Sequence, residues 1–305
     1  MKRLIALALM ALAIFVLMPP KVAHAEFSED TEDLFTIVWL SDTQDMAYHD
    51  YNGALHKMGK WIIAQKENLD IRYVVQTGDM VDNGAAPKQW ERFDEMYNEF
   101  KDDIPYISAA GNHEIKKNGY FDYYMRPEVR SIPRSNTYMR GKSSFCTLEV
   151  NGCKIIIVAI GNEVEQESAP WVNEVLRLHR DYAAILLVHD YLWQGARYGV
   201  NGKWVFENIV KTNSNVRMVL SGHVHNTSAR IDLLDDDNDG VAERQVVQMM
   251  YNYQHYNTDC GQLRTLQFNT QEHSLTVTTY SPVTDKYYKE FWFGNEETFT
   301  VENAF

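Results

Sequence analysis

The 305-residue sequence predicts an α/β fold built on two mixed sheets flanked by helices, and three observations carry that reading. Short apolar runs rich in branched and aromatic residues alternate with stretches whose apolar residues recur at helical spacing, which is the pattern of buried strands connected by helices. After Asn226 the helical patterns stop and β-rich segments follow, as in an antiparallel set that extends or faces the first sheet. No internal repeat, low-complexity tract or Pro/Gly/Ser linker interrupts residues 26–305, and 45% hydrophobic residues suffices for a core, so one domain is expected over that range.

The elements follow in order. Residues 1–25 read as a signal peptide: Lys2 and Arg3 precede the uncharged run Leu4 to Met18, and Ala23-His24-Ala25 supplies the small-x-small cleavage pattern. Pro19-Pro20 closes that run short of the ~20 residues a spanning helix needs, which argues for export without a transmembrane anchor after cleavage. "FTIVWL" (35–40) is a strand, and "GALHKMGKWIIAQKEN" (53–68) is a helix. "IRYVVQT" (71–77) is a strand, and Pro87 opens the helix "PKQWERFDEMYNEFKDD" (87–103). "PYISAA" (105–110) is the next strand, and Asn118 to Asn136 reads as an irregular insertion. "KIIIVAI" (154–160), helix "PWVNEVLRLHRDY" (170–182), "AAILLVH" (183–189), helix "KWVFENIVK" (203–211) and "VRMVLSG" (216–222) continue the alternation. "QVVQMMYNY" (245–253), "LRTLQFN" (263–269) and "SLTVTTYS" (274–281) form the β-rich tail.

Cys146, Cys153 and Cys260 do not make a disulfide framework. Asn151-Gly152 reads as a hairpin turn, in whose register Val150 faces Cys153 and Cys146 lies several pairs away, so all three thiols are expected free. The net charge of −13, more acidic once Lys2, Arg3 and Lys21 of the leader are set aside, argues against a nucleic-acid-binding surface. Binding a phosphate on such a chain calls for concentrated positive charge, such as metal ions.

Polar residues with metal-ligating chemistry follow one strand after another. Asp42 and Gln44 follow the first; Gly78, Asp79, Asp82 and Asn83 the second; Gly111, Asn112, His113 and Glu114 the third. His189 ends a later strand, and Gly222, His223 and His225 end another. In α/β sheets ligands collect at the carboxyl ends of strands, so these groups can converge although they span more than half of the chain. Carboxylates, amide oxygens and imidazoles are donors for divalent metals, and one carboxylate can serve two ions.

The blocks "SDTQ", "GDMVDNG", "GNHE", solitary His189 and "GHVH", in this order, resemble the motifs of the calcineurin-like metallophosphoesterase family. The resemblance covers residues 37–225, and the tail is similar to an exported bacterial subgroup. It implies an αββα sandwich of two facing sheets and a centre of two divalent metal ions, Mn, Fe or Zn. Asp42, Gln44, Asp79 and His225 would hold one ion; Asp79, Asn112, His189 and His223 the other. His113 would be catalytic beside the leaving group, with Asp82 orienting it, and a metal-bridging hydroxide would attack a small phosphomonoester or phosphodiester. Most members carry histidine at Gln44; a neutral amide oxygen there favours Mn²⁺ or Fe²⁺ over Zn²⁺. Asn83 stands where the family's protein phosphatases carry a phosphate-binding arginine, which argues against phosphoprotein substrates.

The rival reading is a non-catalytic metal- or calcium-binding surface protein on the same scaffold. "DDDNDG" (235–240) places Asp235, Asp237 and Asp239 like the start of a calcium loop, although its twelfth position is Val246 and strands flank it, as in a plain hairpin. Tyr253, Gln254 and His255 are candidates to line a substrate cleft. The substrate and any protein partner are not encoded in these motifs.

Overall fold

The computed structural model describes residues 33–115, 126–254, 259–291 and 295–305. The signal-peptide segment, residues 118–125 of the irregular insertion, and His255 lie outside them. Strands β1 (Leu34–Leu40), β2 (Ile71–Gln76) and β3 (Tyr106–Ser108) run parallel in the first sheet. The second sheet holds β4 (Ser143–Val150), β5 (Cys153–Ile160), β6 (Ala183–Val188), β7 (Val216–Ser221), β8 (Thr227–Leu234) and β9 (Arg244–Tyr251). Its order is β8-β9-β7-β6-β5-β4, with Thr137–Tyr138 at the edge. The β4–β5 hairpin pairs Val150 with Cys153 and Cys146 with Ile157, as the turn residues predict, and all three cysteines are free.

The tail divides between the two sheets. β10 (Leu263–Asn269) and β11 (Ser274–Ser281) extend the first sheet antiparallel beside β1. β9 instead joins the second sheet parallel to β7, with β8 antiparallel on its other side. Alternating apolar residues fit either sheet; partner choice is set by where β7 ends, and a period-2 pattern does not encode it.

That alternation builds the core. Phe35, Ile37, Trp39, Tyr73 and Val75 of the first sheet pack against Ile155, Ile157, Leu187, Met218, Leu220 and Met249 of the second. The intervening residues Val38, Leu40 and Val74 face outward onto helices α1 (Gln44–His49), α2 (Ala54–Ala64) and α3 (Pro87–Phe100). Ile156, Val158, Leu186 and Val219 face α4 (Glu165–Leu178) and α5 (Val200–Val205), which runs on into a π-turn. The result is the αββα sandwich. Tyr251 ties the sheets together: its hydroxyl donates to the Trp39 carbonyl at 2.6 Å, with the two rings edge to face.

α4 begins before Pro170. The bond that proline cannot make falls on the carbonyl of exposed Gln166, where water can serve, while Ser168 and Ala169 are buried and hold the extra turn down.

A candidate metal centre at the strand ends

Each motif sits where a strand stops. Asp42, Asp79 and His223 all have left-handed backbone, with φ of 50°, 50° and 70°, and each turns its chain sharply at the sheet edge. Such conformations cost of order 1 kcal/mol or more in residues other than glycine, and they cluster at functional sites. Two glycines make the close approaches possible. A Cβ on Gly222 would lie 2.0 Å from Asp42 Oδ2, and one on Gly111 would lie 2.3 Å from Asp79 Oδ1.

Asp42, Asp79 and Glu114 are buried, and no Lys or Arg among the described residues pairs with any of them. A buried relay runs from Trp39 Nε1 to the Thr77 hydroxyl (3.1 Å), on to Ser41 (2.6 Å) and then to Asp42 Oδ2 (2.5 Å). The His223 amide donates to the same carboxylate at 3.0 Å. Burial nonetheless pushes Asp42 up to about 8, against the pull of His189 and these hydrogen bonds. Asp79 moves the other way: burial works to raise it, but His189 and His113 outweigh burial and hold it below the ordinary carboxylate range.

His189 is at the centre. Its Nδ1 lies 2.8 Å from the Thr77 carbonyl, which can only accept, so Nδ1 carries the proton and donates. Its Nε2 then presents a lone pair. Around that nitrogen stand Asn112 Oδ1 at 3.0 Å, His223 Nδ1 at 3.2 Å and Asp79 Oδ2 at 3.3 Å. Such a gathering of ligand atoms around one lone pair is an arrangement that a cation fits. With only the proton on offer, burial would push His189 down, but Asp79 and Asp42 draw it up to about 10. Asp79, His189 and His223 offer ligand atoms all within 4.8 Å of one another. Gln44 donates from Nε2 to Asp79 Oδ2 at 3.2 Å, while its Oε1 is buried with no hydrogen-bond partner. An orphaned acceptor beside a buried carboxylate is an arrangement that suits a cation ligand. The donor set fits divalent metal.

The remaining sequence candidates fall around this cluster. His113 Nδ1 donates to the Asp82 main-chain carbonyl at 2.7 Å, and the Asp82 carboxylate stands farther off at 3.3 Å, so the backbone contributes to orienting the ring. His113 Nε2 lies 3.9 Å from Asp79 Oδ2 and is turned toward the centre. His225 is exposed and contacts Gln254, apart from the close trio, and Gln254 with Tyr253 lines a cleft beside Asp42. Asn83 spends its side chain on the Ala85 amide, closing the turn after the second motif.

Glu114, whose role the sequence left undecided, is a structural hub. Its carboxylate accepts the amides of Asp79 (2.9 Å), Met80 (2.7 Å), Val81 (3.2 Å) and Gly111 (2.7 Å), and so fixes two ligand-bearing loops to each other. Its only sequence signal was its place three residues after Gly111. Glu165 was not singled out at all; it is buried near His189 and Asp190, and its Oε1 has no hydrogen-bond partner.

The Asp235–Gly240 loop joins β8 to β9 as a hairpin. Asp235, Asp237, Asp239 and Glu243 bring carboxylate oxygens within 4.8 Å of one another. These accept the loop's own amides, from Asp236, Asp239 and Gly240, which such a turn can arrange without an ion. No described helix is long and apolar enough to cross a membrane.

A family model described as calcineurin-like phosphoesterase matches residues 35–227. The chain is 37% identical over 281 residues to a Bacillus subtilis (strain 168) protein called uncharacterized protein YvnB. That match takes in 88% of this chain but 22% of the relative, so the chain spans about a fifth of its length. Purple acid phosphatase PPD1 from yellow lupin (Lupinus luteus) seeds shares the fold, with a TM-score of 0.56 at 18% identity over 88% of this chain and 54% of that one.

Proposed function

Because the chain belongs to the calcineurin-like phosphoesterase family, we propose that it is an exported hydrolase of small phosphate esters, monoesters or diesters, that works with two divalent metal ions. The observation that carries this reading is the set of potential ligand atoms converging on the lone pair of His189 Nε2, together with the orphaned oxygen of Gln44.

In this reading Asp42, Gln44, Asp79 and His225 would hold one ion and Asp79, Asn112, His189 and His223 the other. When bound, two such ions acidify a water and neutralise phosphate charge. The chain's own residues prepare the ground. Thr77 and Asp42 fix the direction of His189 and of the His223 loop, and Glu114 holds the Asp79 and Asn112 loops in one register. His113, with Nδ1–H committed to the Asp82 carbonyl, leaves Nε2 to take up a second proton from solvent and, as the imidazolium, to deliver it to a leaving alkoxide. The amide at Gln44 weakens selection for Zn²⁺ and favours Mn²⁺ or Fe²⁺.

Metal analysis of protein purified without chelator, joined to a panel of phosphate esters assayed with added Mn²⁺, Zn²⁺ or Fe²⁺, tests the proposal. Asp79→Asn is expected to lose metal and turnover together. His113→Ala is expected to keep its metal and lose roughly 10² to 10⁴ in rate. Release of metal by His113→Ala would contradict its assigned role, and calcium as the sole bound ion would favour a non-catalytic binding protein. Export is tested separately, by whether the mature protein begins at Glu26.

A further inference from the structure

The segment after His189 makes a small hairpin, Leu192–Trp193 paired with Arg197–Tyr198. Its Trp193 is 45% exposed. Single exposed apolar residues are common and need no purpose. This one differs in how firmly it is held. Its Nε1 donates to Asp190 Oδ1 at 2.9 Å, one residue after His189. Its carbonyl accepts the Ser228 hydroxyl at 3.1 Å, three residues after His225, and Ala196 donates back to that hydroxyl at 3.3 Å. Gly199 makes room for the indole edge: a Cβ there would lie 2.7 Å from Trp193 Nε1 and 2.9 Å from Asp190 Oδ1.

The residue is thus anchored to two of the strand ends that carry the metal motifs, its ring through Asp190 and its backbone through Ser228. With ~3.8 Å between successive Cα atoms and the short reach of an aspartate, its nitrogen lies within roughly 10 Å of the His189 Cα. Arg197 sits directly opposite on the same face of the hairpin, and its terminal nitrogens make no hydrogen bond or ion pair with any described residue. An indole face and an open guanidinium side by side, on an otherwise acidic chain, suit an anion that carries a flat ring.

Resting on the phosphoesterase reading above, we propose that Trp193 and Arg197 form a subsite for the leaving group of a phosphate ester bearing a planar aromatic ring, as in a nucleotide or an aryl phosphate. Trp193 stacks on the ring, and Arg197 draws the anion to the rim.

The test compares wild type with Trp193→Ala and Trp193→Phe on adenosine monophosphate, phenyl phosphate and glycerol phosphate with added Mn²⁺. In Trp193→Ala the preference in kcat/KM for each ring-bearing ester over glycerol phosphate falls about tenfold or more, and Trp193→Phe, which can still stack, retains most of it. A fall for adenosine monophosphate alone identifies a nucleoside as the ring; a fall for both esters identifies any aryl group. An unchanged preference overturns the proposal. A second readout needs neither metal nor turnover: adenosine quenches indole fluorescence of the metal-free wild type, and the quenching is lost in Trp193→Phe. Absence of that quenching in wild type overturns the subsite even if the enzyme is active; its presence in a chain that hydrolyses none of the three monoesters upholds the ring site and rules out the monoester form of the phosphoesterase reading.

Discussion

At the scale of single residues, the centre depends on groups that ligate nothing. Glu114 gathers four main-chain amides into one buried carboxylate, and hydrogen bonds to a charged acceptor are the stronger kind. Glu114→Gln removes the charge and turns one acceptor into a donor facing amide donors, so a loss of about 2 to 4 kcal/mol is expected in urea denaturation, with weaker metal retention. Gly222→Ala presses a methyl against Asp42 and is expected to cut metal content while secondary structure, read by circular dichroism, persists. The thiols make a pH test. Burial pushes Cys146 up to about 12 and Cys153 and Cys260 to about 11, from an ordinary value of 9.0. Folded thiols therefore stay protonated when unfolded ones ionise. Their contribution to stability is fully present below pH 9 and is lost as pH climbs through 11 to 12. Iodoacetamide at pH 8 should label native protein far more slowly than urea-unfolded protein; equal rates would show the thiols to be open.

At the scale of elements, the C-terminal strand Thr298–Val301 is tied to the site by charge. Glu297, just before it, is fully buried and accepts from Arg264 of β10 at 2.6 Å, from Thr227 at the start of β8 at 2.6 Å, and from Tyr253. Removing one partner of a buried pair strands the other, so Glu297→Ala should cost about 3 to 5 kcal/mol, with the paired replacement Arg264→Met/Glu297→Leu recovering much of it. Equal losses in the single and double variants, measured by urea unfolding, would contradict that coupling. None of this network showed in the sequence, where Glu297 is one acid in a polar tail. What was legible were the features with a local cause: the short apolar runs of β1, β2, β5, β6 and β7, the Asn151-Gly152 turn, and the habit of placing ligating residues just past each strand. The sheet that β9 would join was not legible, because Val247 and Met249 would face a core in either place. Nor was the role of Glu114, since an acid that accepts buried amides and one that faces water are the same letter.

At the scale of the whole molecule, the centre sits on the seam of the sandwich. Asp42, Asp79 and Asn112 come from the ends of β1, β2 and β3 in the first sheet, while His189 and His223 come from β6 and β7 in the second. A cation held by both sets bridges the two layers, beside the Asp42 carboxylate, which already reaches from β1 to the His223 amide. Folding must assemble three buried carboxylates with no Lys or Arg among the described residues beside them; His189 offsets the charge of Asp79, but burial still holds Asp42 up at about 8, a cost that ion binding removes. An ion that binds only the folded state stabilises by mass action, ~2.7 kcal/mol at a hundredfold excess over its Kd. For a domain of this size that is a rise in Tm of roughly 5 to 10 °C on adding Mn²⁺ or Fe²⁺ to chelator-treated protein. Asp79→Asn, which removes the shared carboxylate, should abolish the rise. Calcium separates the two candidate sites in the same scan: a Tm increase with Ca²⁺ that survives Asp79→Asn but not Asp237→Asn belongs to the β8–β9 hairpin. If transition metal moves the Tm of wild type and Asp79→Asn by equal amounts, the strand-end cluster is not where the ion binds.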